Sequence, residues 1–312
     1  MPNFLNQEDA SGLDRIDTLT PFVSVIIPVF NDFLQLLVCL QSLKKQSYHK
    51  NLYEIIVVNN NSTDEFDASV IEFEGVNLYV EEIPGSYAAR NKGISVAKGS
   101  VIAFIDSDCR AQNQWIESGI AALQENSADL VGGQVSFSFS AQKTSAELYD
   151  SLTNMQIKRD IEKRKVSKTA NLFVRRKVFD AIGLFPLLKS GGDVAWTKRA
   201  TDAGYLLVYS RKAEVFHPTR KLPELLKKQY RVGSGQTSVW VSEGQSIKQI
   251  FLGSLFNLWP PTADKFLSNV GSEREEEAKA RLLSILVVIW LCNVANTLGR
   301  LTTILELVIQ KK

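Results

Sequence analysis

Two kinds of hydrophobic pattern alternate along the first half of the chain. Val23–Val29 and Tyr53–Val58 are short, continuous, β-branched runs, the pattern of strands buried on both faces of a parallel sheet. Pro28 ends the first of them. Asn31 or Asp32 can then cap a helix in which Leu34, Leu37, Val38, Leu40 and Leu43 recur at helical spacing. The second run leads into Asn59–Asp64, a loop of residues that favour turns and caps. A third strand is predicted near Asn77–Glu81, a helix over Ser86–Lys98 stopped by Gly99, and a fourth strand over Val101–Ile105. Strands alternating with helices predict an α/β architecture with a mostly parallel sheet.

From Leu130 the rhythm weakens. The pattern predicts a strand over Leu130–Phe139, one charged helix over Ala146–Lys165, a helix over 193–203, a short strand over Leu206–Tyr209 and a segment ending at His217. Ile247–Trp259 then places Ile247, Ile250, Phe251, Leu255 and Leu258 on or near one face before Pro260 and Pro261. A charged stretch, Glu273–Arg281, precedes Leu282–Leu298, which is 17 residues without a charge. That run is at the short end for a transmembrane helix, and Asn293 and Asn296 weaken it. A membrane-embedded helix, an in-plane helix and a buried or dimerisation helix all remain open. The organisation expected is a polar lead-in (1–20), an α/β domain (21–217), basic and amphipathic helices (218–260) and a C-terminal hydrophobic helix (261–312).

Composition narrows the function. The 312 residues are 45% hydrophobic and carry a net charge of +2, which excludes a disordered chain and argues against a basic face for nucleic acid. Cys39, Cys109 and Cys292 lie far apart with no CxxC pair, which suits a reducing compartment. Glu8, Asp9, Asp14 and Asp17 interrupt the first twenty residues, which read as no signal peptide, so the polar domain is expected to face the cytosol.

The sharpest chemical signal is Asp106-Ser107-Asp108 at the end of a buried strand. Two carboxylates one residue apart can close around a hard cation such as Mg²⁺ or Mn²⁺, although the same tripeptide is also good turn chemistry. Ligands in open parallel sheets sit beyond the C-terminal strand ends, so the loops after Val29 and Asn59 should share that edge. Arg90 can hold a phosphate or fix the Asp106 loop. Thr219–Lys221 and Lys227–Arg231 are basic; they suit a diphosphate or anionic lipid, and equally a solvated amphipathic helix packing through Leu222, Leu225, Leu226 and Tyr230. His49 sits in a polar loop and carries no role.

The segments SVIIPVFN (24–31), EIIVVNNNSTD (54–64), AARNKGISVAKG (88–99) and AFIDSD (103–108), in this order, resemble the family-two glycosyltransferases with the nucleotide-sugar-binding GT-A fold. ANLFVRRKVFDAIGLFP (170–186) is similar to that family's acceptor-side segment, and GGDVAWTKRATDAG (191–204) to the segment that supplies its catalytic base. The resemblance implies that Pro28, Val29, Phe30 and Asn31 line the base and ribose, that Asn59 and Asn60 lie in the base-reading loop, and that Arg90, Asp106 and Ser107 face the donor. It further implies Asp106 and Asp108 as ligands of Mn²⁺ or Mg²⁺, His217 as an additional metal or phosphate contact, and Asp193 as the base. Two positions depart from the family pattern. Asn59 stands where the loop usually opens with Asp, and Gly192 replaces the glutamate of a Glu-Asp pair.

On this reading a sugar passes, with inversion, from a nucleotide-diphosphate donor, UDP-linked by preference, to a glycan or lipid-linked acceptor. The enzyme would lie on the cytoplasmic face of the membrane as a monomer or homodimer. The alternative is a catalytically silent nucleotide-sugar-binding partner in a polysaccharide assembly complex. A nucleotidyltransferase would need a Gly-rich phosphate loop after the first strand, which Pro28–Asn31 lacks.

Overall fold

A computed structural model describes residues 20–63, 75–242 and 244–309. The lead-in up to residue 19 and Asp64 of the polar loop lie outside the described residues. Strand β1 (Val23–Val29) is buried at every position, as its unbroken apolar run requires. Helix α1 (Phe33–Leu43) follows with Asp32 at its N-cap, where no side-chain capping bond forms. Next come β2 (Tyr53–Asn59), β3 (Val76–Val80), α2 (Ser86–Val96) and β4 (Val101–Ile105). Helix α2 ends earlier than expected, because Ala97 turns extended. Gly99 serves close approach instead: a Cβ there would lie 2.5 Å from the Ser24 backbone nitrogen. The Ser24 hydroxyl accepts from the backbone N–H groups of Lys98 and Gly99 and donates to Glu54.

The chain continues through β5 (Arg110–Ala111), α3 (Trp115–Glu125) and β6 (Leu130–Ser138). The single charged helix expected over 146–165 is two, α4 (Ser145–Thr153) and α5 (Ile157–Arg164). Met155 at φ 52° breaks them, and Asn154 turns its amide back onto Asp150. Then follow β7 (Asn171–Arg175), α6 (Arg176–Ile182), α7 (Gly192–Asp202) and β8 (Leu207–Pro218). The short strand and the segment to His217 are therefore one strand. Its pairing with β6 shifts between Gly133 and Gln134, so the pattern is interrupted while the strand continues. Buried Asn171 spans this irregularity, donating to the Gln134 and Ala213 carbonyls and accepting from Trp115 Nε1.

The sheet order is β3-β2-β1-β4-β7-β6-β8-β5 among the described residues. Strands β1, β2, β3 and β4 run parallel, whereas β7 is antiparallel to β4 and β6. The topology therefore brings the C-terminal ends of β1, β2 and β4 and the N-terminal end of β7 to one edge.

The remaining helices are α8 (Leu222–Ser242), α9 (Ile247–Phe256), α10 (Ala263–Leu267), α11 (Glu275–Ala280) and α12 (Leu282–Ile309). Helix α12 is the one described helix long and apolar enough to cross a membrane. Between Ile285 and Ile304 it packs mainly against α4, α8 and α9. Val288 and Cys292 pack with Ala146 and Leu225, Asn296 donates to the Gln229 carbonyl, and Ser234 bonds Thr303. Gly233 and Gly299 allow the contact with α8: a Cβ on either would lie 2.0 Å from a backbone oxygen of the other helix. On α9 Ile250 is buried, but Phe251 and Leu255 of the anticipated apolar face, and Leu258 just beyond the helix, are exposed.

Gly299→Ala should force α8 and α12 apart. Overpacking of this kind lowers stability by about 1–3 kcal/mol. Denaturant unfolding measures it, and unchanged stability would contradict the close contact.

Candidate functional site

The sheet edge opens into a cleft of about 440 Å³. Pro28, Val29, Phe30 and Asp32 of the β1 loop line it, as do Asn60, Arg90 of α2 and Asp106, Ser107 and Asp108 after β4. Thr169, ahead of β7, and Asp193, on α7, complete its far side. Of the residues singled out in the sequence, Asn31, Asn59 and His217 are not in the wall. Asn31, at φ 50°, accepts from the Thr63 N–H, and Asn59 accepts from the Ser62 N–H, so both build the loops behind it. Asn60 reaches the cleft with its amide engaged: it donates to the carbonyls of Glu81 and Ile83 and accepts from the Gly85 N–H. Phe30 presents its ring to the cleft at 59% exposure.

The Asp106 loop is a charge cluster held by one cation. Arg90, buried in the first half of α2, sets Nη2 2.6 Å from Asp106 Oδ1. Of the two roles open for Arg90, the structure thus shows it fixing the loop. Its Nε is buried without a hydrogen bond. The Asp106 carbonyl accepts from the Cys109 N–H to close the turn, and Ser107 donates to Asp32. Burial, and then the Asp108 and Asp106 charges, push the thiols of Cys39 and Cys109 far above their ordinary range, so both stay protonated.

His217 lies behind Asp108, at the end of β8. Its Nδ1 is 2.6 Å from the Pro218 carbonyl, which can only accept, so Nδ1 carries the proton. Arg220 Nη2, 3.2 Å from Nε2, can only donate, so Nε2 accepts there, and it lies 3.5 Å from Asp108 Oδ2. A buried imidazole fixed through its other nitrogen and aimed at a carboxylate is a standard arrangement for a cation ligand. Ligand atoms of Asp108, Cys109 and His217 lie within 4.8 Å of one another, and the protonated thiol makes Cys109 the weakest donor of the three.

Asp193 occupies the second position of α7; the N-cap is Gly191, so Asp193 does not cap the helix. Its Oδ1 accepts from the Tyr87 hydroxyl at 2.9 Å and from the Val194 N–H, and its Oδ2 accepts from the Thr169 N–H at 3.2 Å. One Oδ2 lone pair remains for the cleft. Burial, then the Asp193 charge, raises Tyr87 well above its ordinary range, so it remains a donor. Tyr87 lies 106 positions from Asp193, and nothing in the sequence pairs them.

Cations fill the wall beyond. Arg220 Nη1 and Lys228 Nζ lie 3.5 and 3.7 Å from Asp150, which is fully buried. Burial first, then Arg220, Lys168 and Arg231, lower Lys228 to about 7, against the attraction of Asp150. Of the two readings of the basic stretch, the amphipathic one is visible in the packing: Leu225 of the same helix is fully buried with Leu222 and Leu226 partly buried beside it, whereas Tyr230 of the anticipated packed face is 41% exposed.

The Glycosyl transferase family 2 model matches residues 24–185. Glycosyltransferase AglE of Haloferax volcanii is 45% identical over 295 residues, covering 92% of this chain and 97% of its own. Glycosyltransferase GlyG of Streptococcus pneumoniae serotype 4 is 36% identical over 120 residues, 37% of this chain and 39% of that protein. The mannosyltransferase PcManGT from Pyrobaculum calidifontis, solved in complex with GDP-Man and Mn²⁺, has the same GT-A-like fold: TM-score 0.62 at 17% identity, over 92% of this chain and 88% of that one.

Arg90→Gln removes the cation beside Asp106. Losing a hydrogen bond to a charged group lowers stability by about 1.5–3 kcal/mol. Chemical denaturation should show that loss, and a fully stable variant would mean the pair does not hold the loop.

Proposed function

The chain belongs to glycosyl transferase family 2, and on that premise we propose that it moves a sugar, with inversion, from a nucleotide-diphosphate donor to a glycan or lipid-linked acceptor hydroxyl. Pro28, Val29 and the exposed ring of Phe30 take the nucleoside, with Asn60 shaping the loop beside it and Asn31 and Asn59 supporting from behind. Arg90, which lines the cleft beside Asp106, sets positive charge next to the donor diphosphate. UDP and GDP sugars both fit this reading.

A divalent cation, Mn²⁺ or Mg²⁺, fits the donor set, because carboxylate oxygens and an imidazole lone pair suit such ions and no thiolate competes. Asp106, Asp108 and His217 would hold it. Once bound, it would supply positive charge for the departing diphosphate. Asp193 takes the proton from the attacking hydroxyl through its open Oδ2 lone pair, and Tyr87, Val194 and Thr169 hold the carboxylate in place for that transfer. One carboxylate base suffices for a single displacement, which inverts the anomeric centre.

The observation that carries this reading is Asp193, anchored by three donors, in the same cleft as Asp106 and Asp108. Asp193→Asn keeps an acceptor for Tyr87 but cannot take a proton. Stability should fall by about 1–3 kcal/mol, since the amide NH2 cannot accept from the Thr169 N–H, and donor affinity should stay near normal, while transfer falls by about 10²-fold or more. Nucleotide released from candidate donors, with and without acceptor, measures it. A rate within a few-fold of the parent removes Asp193 from the mechanism, and no turnover of any donor by the parent favours the silent binding partner.

The protein also rests on a membrane, with the catalytic domain on the cytoplasmic side and α12 in the plane rather than across it. Spanning would draw the polar helix α8, fastened to α12 through the glycine contact, into hydrocarbon. The outer face offers Leu283, Val287, Leu298 and Leu305, beside Phe256 and Trp259 at 80% and 78% exposure. A patch of this kind, with a tryptophan at its rim, suits the boundary between headgroups and acyl chains. In sealed vesicles an epitope fused after Lys312 should share the side of the catalytic domain, and Phe256→Ser with Trp259→Ser should release the protein. An epitope on the opposite side would establish a spanning helix, and a detergent-free soluble dimer would make the face a subunit interface.

A further inference from the structure

Helix α8 runs from the donor side of the cleft toward the base. Gly235 brings it against the loop before α7: a Cβ there would lie 3.1 Å from the Ser190 backbone nitrogen and 3.3 Å from the Lys189 Cβ. Arg231 stands one turn earlier on the same helix face, since residues four apart are neighbours. Lys189 and Arg231 thus flank one side of the cleft, three residues of chain from Asp193 in the case of Ser190. The other cations of that wall already have acidic partners: Lys168 pairs with Asp160, and Arg220 and Lys228 with buried Asp150. Neither Lys189 nor Arg231 has an ion pair among the described residues, although both line the cleft.

The counting of charge is unequal at the two ends. At the donor end Arg90 pairs with Asp106 among three carboxylates; at the base end Lys189 and Arg231, which have no acidic partner among the described residues, outnumber Asp193, Lys228 being paired with Asp150. Positive groups gathered this closely repel one another unless an anion joins them. The donor diphosphate belongs to the other end, beside Asp106 and Asp108.

We propose that Lys189 and Arg231 form an anion subsite next to the base, which holds a phosphate group carried by the acceptor. This rests on the reading of Asp193 as the acceptor-side base, and it names the acceptor class as phosphate-bearing rather than a neutral glycan. Both side chains contact the acceptor and neither takes part in bond making. The exposed apolar face of α9 and α12 lies on the same helical region, so the phosphate can belong to a lipid, while the shared chemistry also admits a water-soluble phosphate ester.

The test is a binding measurement on the full chain with the donor end filled by uridine or guanosine diphosphate and Mn²⁺. Decyl phosphate, inorganic phosphate and decanol are titrated onto the parent and onto Lys189→Gln with Arg231→Gln, two exposed positions whose change should leave the fold intact. Decyl phosphate should bind the parent at least tenfold more tightly than the double variant. Decanol should not distinguish them, and nucleotide affinity should agree within about twofold. Decyl phosphate at least tenfold tighter than inorganic phosphate points to a lipid-linked acceptor, and equal binding to a soluble one. Equal binding of decyl phosphate to parent and variant overturns the proposal, as does an equal loss of nucleotide affinity, which would assign the pair to the donor. Absence of donor turnover would instead refute the transferase reading and leave this binding result standing.

Discussion

Four carboxylates, Asp32, Asp106, Asp108 and Asp193, line one cleft, and the rest of the structure answers the repulsion this creates. Negative charges at such separations oppose one another unless cations or hydrogen-bond donors are fixed among them. At one end the protein provides the buried guanidinium of Arg90, 2.6 Å from Asp106, together with the Ser107 hydroxyl on Asp32. At the other it provides three donors on Asp193. Asp108 is left facing His217 Nε2 at 3.5 Å and has no lysine or arginine ion pair among the described residues. The carboxylate that the protein compensates least is therefore the one best placed to meet a cation from solution.

Strand direction makes this economy of charge workable. Parallel β1, β2 and β4 deliver their loops to one edge, and the reversal at β7 delivers Thr169 to the same edge from the opposite chain direction. Strand β8 reaches His217 only because its pairing with β6 survives the shift after Gly133, where buried Asn171 satisfies the interrupted carbonyls. Helix α8 then leaves that edge carrying cations on the cleft side and Gly233 on the α12 side. The contact with the apolar helix α12 and the cleft are thus two faces of one element.

What the sequence discloses follows from the range of the interactions involved. Strands β1, β2 and β4 were legible because a doubly buried strand must be apolar at every position, and Asp106-Ser107-Asp108 because both carboxylates leave the same strand. The break between α4 and α5 was hidden, since a polar helical pattern runs through Asn154–Gln156 and only the tertiary role of Asp150 demands a turn there. Strand β8 was read as two pieces because residues around Ala213 interrupt its alternation without ending its pairing. Asn60 sits in the expected loop, yet its amide serves three backbone groups that no local rule identifies. The Tyr87–Asp193 bond and the backbone contacts at Gly233 and Gly299 join distant segments, so the sequence gives the residues without the partners.

The chemistry proposed for the cleft requires that a cation and a nucleotide diphosphate bind together at the Asp106–Asp108 edge. Calorimetric titration of uridine and guanosine diphosphate, with and without Mn²⁺, onto the parent chain and Asp108→Ala tests this most directly. The account predicts that the parent binds at least one of them about tenfold or more tightly with Mn²⁺ present, and that Asp108→Ala abolishes this gain while melting as the parent does. Equal affinity with and without the cation, or an undiminished gain in Asp108→Ala, would contradict it.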